Sequence, residues 1–180
     1  MQSSDGVILK LNPLGENGFI VTWCTPLGII QTAAKSARKS TSPFAGRLDL
    51  FYQCYLHWKP STRSSLHTLT AVDVISPRLS LRQNFFNLKL AGYFSRLCLQ
   101  VLEKDTPIPE FYDLLQRALL YLEQSEATQK ALIHFENELV RLHGMSHPNI
   151  PAHVLLKSHF GKLPSQRDKL LLALPPEKQK

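Results

Sequence analysis

Hydrophobic and polar positions along this chain change period once, near residue 77. Before that point apolar residues fall in short β-branched or alternating runs separated by Gly, Pro and Asn, which marks strands and turns. Gly6–Leu11 (GVILKL) predicts a first strand, ended by Pro13, Gly15, Asn17 and Gly18. Phe19–Cys24 (FIVTWC) predicts a second, and the Pro26–Leu27–Gly28 turn leads into a third over Ile29–Ala34. A longer strand is expected from Arg47 to Trp58. It would put Leu48, Leu50, Tyr52, Cys54, Leu56 and Trp58 on a core face and Arg47, Asp49, Phe51, Gln53, Tyr55 and His57 on the other. Leu66–Ile75 supplies a fifth strand after the polar connection over Pro60–Ser65. Five short strands predict a small closed or nearly closed sheet, and a five-stranded OB-type β-barrel fits that count.

Beyond Pro77 the period becomes helical. Ser80 with Gln83 reads as a capping box opening a helix from Leu81 to about Glu103. Phe85, Leu88, Gly92, Ser95 and Leu99 share one flank of it, as do Leu81, Leu88, Ala91 and Cys98. Thr106–Pro107 opens a second helix, to about Glu123, with the stripe Phe111, Leu114, Leu115, Ala118, Leu119 and Leu122. Ser125 or Glu126 starts a third, with Ala131, Leu132, Phe135, Leu139 and Leu142 on one face and Gly144 as its stop. Two shorter helices, near His153–His159 and Ser165–Leu174, precede a charged tail. The fold class is therefore α+β: residues 1–78 form an OB-type barrel domain and residues 79–180 a helical bundle, with the boundary between Ser76 and Ser80.

Composition changes this picture little, but charge adds to it. At 180 residues, 43% hydrophobic and 19% charged, the chain has the make-up of a globular protein. Its net charge of +7 favours a polyanionic partner. That excess concentrates between Gln31 and Arg47, where Lys35, Arg38, Lys39 and Arg47 occur with no acid among small and hydroxyl residues. Lys, Arg, Ser, Thr and backbone N–H groups are what hold phosphate oxygens. The strand that follows adds Phe51 and Tyr55 on its outer face, flat rings suited to unpaired bases. Cys24, Cys54 and Cys98 lie far apart in apolar contexts and read as core thiols of a reducing, cytoplasmic protein. No secretory signal is apparent at MQSSDGVILKL, and the apolar stretch over Phe85–Leu102 is interrupted by Asn87, Lys89, Arg96 and Gln100.

These elements resemble the RecO family of bacterial recombination mediators. The resemblance runs from residue 6 to 144 and rests on order: GVILKL, the Gly15–Glu16 pair, a hydrophobic strand to Thr25, nearby Gly28, the basic loop AKSARKSTSPFAGRL, the strand DLFYQCYL, and YFSRLCLQVLEKDTPIPEFYDLLQRALLYLE as the first two long helices with their proline-containing break. It implies a non-enzymatic protein that binds single-stranded and duplex DNA, anneals strands coated with single-strand-binding protein, and works with RecR to help load RecA. On that resemblance Lys35, Arg38 and Lys39, with Arg47 after them, stand at the DNA-contacting positions. Many members have glycine where Ser36 stands. Many also carry a four-cysteine zinc site after the third helix, where His143–Phe160 has no cysteine. The chain also ends early relative to typical members.

Other chemistry is thinly supported. His143, His147, His153 and His159 could make a histidine-only metal site, but Gly144 and Pro148 interrupt the helix that would align the first two. No GxSxG elbow, P-loop or HExxH motif appears, so no enzyme, metal or cofactor is expected. Glu136 and Glu138 are two apart and point to different sides of their helix. A groove between helices flanked by Arg96, Arg117 and Arg141 would suit an apolar, acidic peptide such as the end of single-strand-binding protein. Two alternatives follow: an adaptor whose helices bind protein while the barrel is a scaffold, and a metal-dependent nuclease using the histidines.

Overall fold

The computed structural model describes residues 1–176, so part of the expected charged tail, residues 177–180, lies outside the described residues. The strands β1 (Gln2–Leu14), β2 (Gly18–Thr25), β3 (Gly28–Ala34), β4 (Gln53–Lys59) and β5 (Leu66–Ser76) close into a barrel in the order β1-β2-β3-β5-β4. Every pairing is antiparallel except β3 with β5. This is the expected OB-type barrel.

Strand β1 is longer than its hydrophobic run. Gln2 to Val7 pair with β4, and Val7 to Leu14 pair with β2, so one strand serves both neighbours. A register irregularity between Ile8 and Lys10 bends it around the barrel. Periodicity misses its first residues because most of their side chains face water. Strand β4, by contrast, is shorter than expected and begins at Gln53, not Arg47. The Arg47 N–H bonds to the Phe44 carbonyl and the Tyr52 N–H to the Asp49 carbonyl, so the preceding stretch is built of turns. Leu48, Leu50 and Tyr52 still pack against the barrel core. Their alternation reflects that packing and not a strand.

The barrel interior is filled by Ile8, Val21, Trp23, Ile30, Leu56, Trp58, Leu69 and Val72. The Trp23 indole N–H donates to Thr32 Oγ1 at 2.9 Å, so its one polar atom is satisfied. The three cysteines are buried free thiols. Burial pushes Cys24 up to about 12, and burial plus the Asp73 carboxylate raises Cys54 to about 12, so neither is a thiolate near neutral pH.

Among the described residues five helices follow a short 3-10 turn at Leu79–Arg82: α1 (Phe85–Val101), α2 (Pro109–Gln124), α3 (Gln129–Leu142), α4 (Ala152–Phe160) and α5 (Gln166–Ala173). The helix starts differ from expectation. Ser80 and Gln83 form a turn, Ser80 Oγ donates to Glu123, and Asn84 Oδ1 accepts the Phe86 and Asn87 N–H groups, so α1 opens after Asn84. Phe85, assigned by spacing to the packed flank, is 65% exposed. Helix α2 starts at Pro109, whose missing N–H costs nothing in the first turn. Thr128, not Ser125 or Glu126, caps α3 by accepting the Ala131 N–H. Gly144, at φ 68°, ends it as expected.

The chain folds as two compact units. Met1–Arg78 is joined by residues 102–112, while Leu79–Val101 goes with Asp113 onward. In the first unit the 102–112 segment lies along β3: Ile29 N–H donates to Glu103 O, Asp105 N–H to Ile29 O, and Ile108 N–H to Pro26 O. In the second, Leu90, Phe94, Leu97, Leu115, Leu119 and Phe135 are buried, with the Phe94 and Phe135 rings stacked at 4.0 Å.

Candidate nucleic-acid interface

The basic loop between β3 and β4 is not the flexible tether its composition suggests. Consecutive backbone bonds fold it into turns: Lys39 N–H to Ser36 O, Ser42 N–H to Lys39 O, and Ala45 N–H to Ser42 O, each at 3.0 Å. Ala37 and Phe44 drop into the barrel core and anchor it at two points. Ser36 takes φ 58°, the left-handed conformation that glycine adopts at least cost.

Arg38 ties this loop to the β1–β2 turn. Its backbone N–H donates to Asn17 O at 2.9 Å, its Nη1 donates to Glu16 O at 3.2 Å, and its guanidinium lies 5.9 Å from the Phe19 ring centroid. The Arg38 side chain is nonetheless exposed, as are Lys35 and Lys39. Among the described residues no ion pair engages Lys35 or Lys39. Three cations thus stand on one braced loop, with their charge presented to water.

The other expected contacts fare differently. Arg47 is exposed, but its Nη1 donates to Val72 O at 3.1 Å and lies 3.8 Å from Asp73, so part of its charge is already answered by β5. Phe51 is a correction: it is 3% exposed, and its N–H donates to Ile8 O. A φ of 68° turns its ring inward where strand alternation would have pointed it out, so it offers no face to a base. Tyr55 is 39% exposed on β4, its hydroxyl 3.0 Å from Ser3 Oγ and its ring edge-on to His57.

The helical unit holds a second candidate site. A cavity of about 390 Å³ opens between α2 and α3 over the Phe94–Phe135 stack, floored by Leu114, Ala118 and Ala131. Arg117, Lys130 and His134 are in its lining. Of the three arginines expected to flank a groove, only Arg117 does so, and it also pairs with Asp113 at 2.8 Å. Arg141 instead binds Glu138, whose carboxyl it holds below the usual range, and Arg96 is exposed elsewhere on α1. Lys130 and His134 were missed, although at i and i+4 on α3 they share a face with Ala131 and Phe135 beside them. Among the described residues no three His, Cys, Asp or Glu side chains gather as metal ligands, those of the 143–159 region included.

Comparison with known proteins fits both halves. The family model for the Recombination protein O N terminal matches residues 1–78, and that for the Recombination protein O C terminal matches residues 82–146. The chain belongs to the RecO family. Among RecO relatives, the DNA repair protein RecO of Syntrophotalea carbinolica is 31% identical over 143 residues, covering 79% of this chain and 55% of the relative. Those of Macrococcus caseolyticus and Myxococcus xanthus are 28% and 31% identical, over 80% and 73% of this chain and 57% and 54% of their own. This RecO-family chain therefore spans about half the length of the curated relatives it matches. No helix among the described residues is long and apolar enough to cross a membrane.

Proposed function

We infer that this chain is a DNA-repair and recombination accessory that binds single-stranded and duplex DNA on the barrel's basic loop, promotes annealing of complementary strands and helps to load a recombinase. The carrying observation is the braced loop: Lys35 and Lys39 exposed beside Arg38, which the β1–β2 turn holds in position. Cations held in one place neutralise phosphates without reading bases, and displaced counterions supply the affinity. Two strands neutralised on one surface repel each other less, which favours their pairing. Arg47 adds a weaker contact because Asp73 already faces it, and Tyr55 offers a ring to an unpaired base.

RecR, RecA and single-strand-binding protein are the partners the family reading brings with it. The groove between α2 and α3 supports the last of these, since an apolar peptide ending in carboxylates matches aromatic walls with Arg117 and Lys130 beside them. That groove also favours a second reading, a protein-interaction adaptor, for which partner capture would survive nuclease treatment.

The test is a fluorescence titration of labelled single strands at two salt concentrations. Replacing Lys35 and Lys39 together by Ala lowers affinity for all sequences alike and flattens the log–log salt slope by about 0.7 per lost phosphate contact. An unchanged slope removes the loop from the mechanism.

A further inference from the structure

Phe85 and Phe86 open α1, the first 65% exposed and the second 37% exposed. They stand edge to face, centroids 5.6 Å apart and planes at 74°. Lys89, one turn on, holds its ammonium 5.2 Å over the Phe85 ring, and Arg82 is exposed just before the helix. From Val74 to Leu102 the chain contains no Asp or Glu, while Arg82, Lys89 and Arg96 are all exposed. Phe85 left largely in solvent, with Phe86 partly exposed beside it, forgoes burial free energy that a helix stripe ordinarily recovers, which points to a ligand for their exposed faces. The exposed ammonium of Lys89 over the Phe85 ring selects an anionic one, and the Glu123 carboxylate at the same helix start is already held by Ser80.

We propose that Phe85 and Phe86 form a base-stacking platform for single-stranded nucleic acid, with Lys89 taking an adjoining phosphate. The proposal rests on the DNA-binding reading and deepens it, because it supplies the aromatic faces that the buried Phe51 does not. Every base has a π face, so such a platform is indifferent to sequence. Rings at a steep angle cannot both lie against one continuous stack. Successive bases must turn from one ring to the next, which an unpaired strand does readily and a duplex does not. Lys89 covers one face of Phe85 and has the reach to leave it for a phosphate. Asn84 already satisfies the first backbone donors of the helix, so the affinity comes from side chains.

The experiment compares the full chain with its Phe85→Ala/Phe86→Ala variant on three probes: a single-stranded oligonucleotide, the matching duplex, and an abasic strand of equal length. Single-strand affinity is expected to fall about tenfold or more, with duplex and abasic binding unchanged. Phe85→Ala alone, whose ring is 65% exposed, should leave thermal unfolding nearly unaltered and still lose single-strand affinity, which separates the platform from the partial burial of Phe86. Phe85→Trp should retain single-strand affinity and show emission quenched by the strand, against the buried Trp23 and Trp58. Single-strand binding equal to that of the unsubstituted chain, or an equal loss on all three probes, overturns the platform while leaving the basic loop standing. If the unsubstituted chain binds none of the probes in dilute buffer, the DNA-binding reading itself falls, and the platform with it.

Discussion

Glu136 sits inside the apolar stripe of α3, between Leu132, Phe135, Leu139 and Val140, and is 1% exposed. It is tolerated there because Arg167 of α5 grips both of its oxygens, at 2.6 and 2.9 Å, and the Tyr93 hydroxyl donates to Oε1. Burial, then the neighbouring Glu136 charge, raises Tyr93 far above the ordinary phenol range, so it remains a donor. The hydrogen bond to Glu136 likewise keeps Arg167 charged. Removing either partner strands a charge in the core. Glu136→Gln and Arg167→Met should each cost about 3–5 kcal/mol in urea unfolding, and Glu136→Leu/Arg167→Met should cost less than the two single changes summed. Single losses under about 1 kcal/mol would show that water already reaches the pair. Reasoning from the sequence separates Glu136 from Glu138, and the structure agrees, since Glu138 goes to Arg141 on the surface. An acid flanked by apolar residues at i−4, i−1, i+3 and i+4 signals a buried charge. Its cation lies 31 positions away on another helix, which no local pattern can supply. Phe51 fails for a different reason: alternation assumes extended backbone, and one residue at positive φ reverses the side chain.

At the scale of elements, the strands and helices are legible because their apolar periods follow directly from burial, whereas their ends depend on which donor meets which acceptor. Ser80 and Gln83 match the spacing of a capping box, yet Asn84 wins because it stands directly before the first helical turn. The link from α1 to α2 reads as a break punctuated by prolines, and its backbone pairing with β3 is a tertiary fact. Gly28 carries that pairing. It has φ 124°, and a Cβ there would lie 2.6 Å from Thr106 N and 2.8 Å from Thr106 O. Gly28→Ala should therefore cost more than Gly46→Ala, where φ is 70° but a methyl group meets nothing within 4 Å. Strain alone accounts for about 1 kcal/mol and the clash for at least as much again, measured by chemical unfolding of both variants. Helix junctions also carry a pH signature. His143 caps the C-terminus of α3, with its ring 4.9 Å from that of Phe160 at the end of α4. Burial, then the nearby His159, lowers its pKa below the ordinary histidine value. The unfolded chain then binds this proton more readily than the folded one. Its contribution to stability is complete above about pH 6.5 and is lost as pH falls through the lower folded value. His143→Gln should flatten the dependence of the urea midpoint on pH between about 7.5 and 5; an undiminished dependence would place its source elsewhere.

At the scale of the whole molecule, the net charge of +7 draws any polyanion, so affinity alone does not separate a site from general attraction. Variants that divide two ligands do separate them. Lys35 and Lys39 belong to the compact unit that contains the barrel, while Arg117 and Lys130 belong to the helical one. Substitutions without shared partners add within a few tenths of a kcal/mol. Lys35→Ala/Lys39→Ala should weaken oligonucleotide binding and leave an apolar peptide with a free terminal carboxylate bound as before. Arg117→Ala/Lys130→Ala should do the reverse. Amidating that peptide's terminus should weaken it on the parent chain by roughly tenfold, the order expected for one charge-assisted contact, and hardly at all on the Arg117→Ala/Lys130→Ala variant. Should both pairs of substitutions weaken both ligands equally, the chain would be acting as a diffuse cation, and neither the loop nor the groove would merit the name of a site.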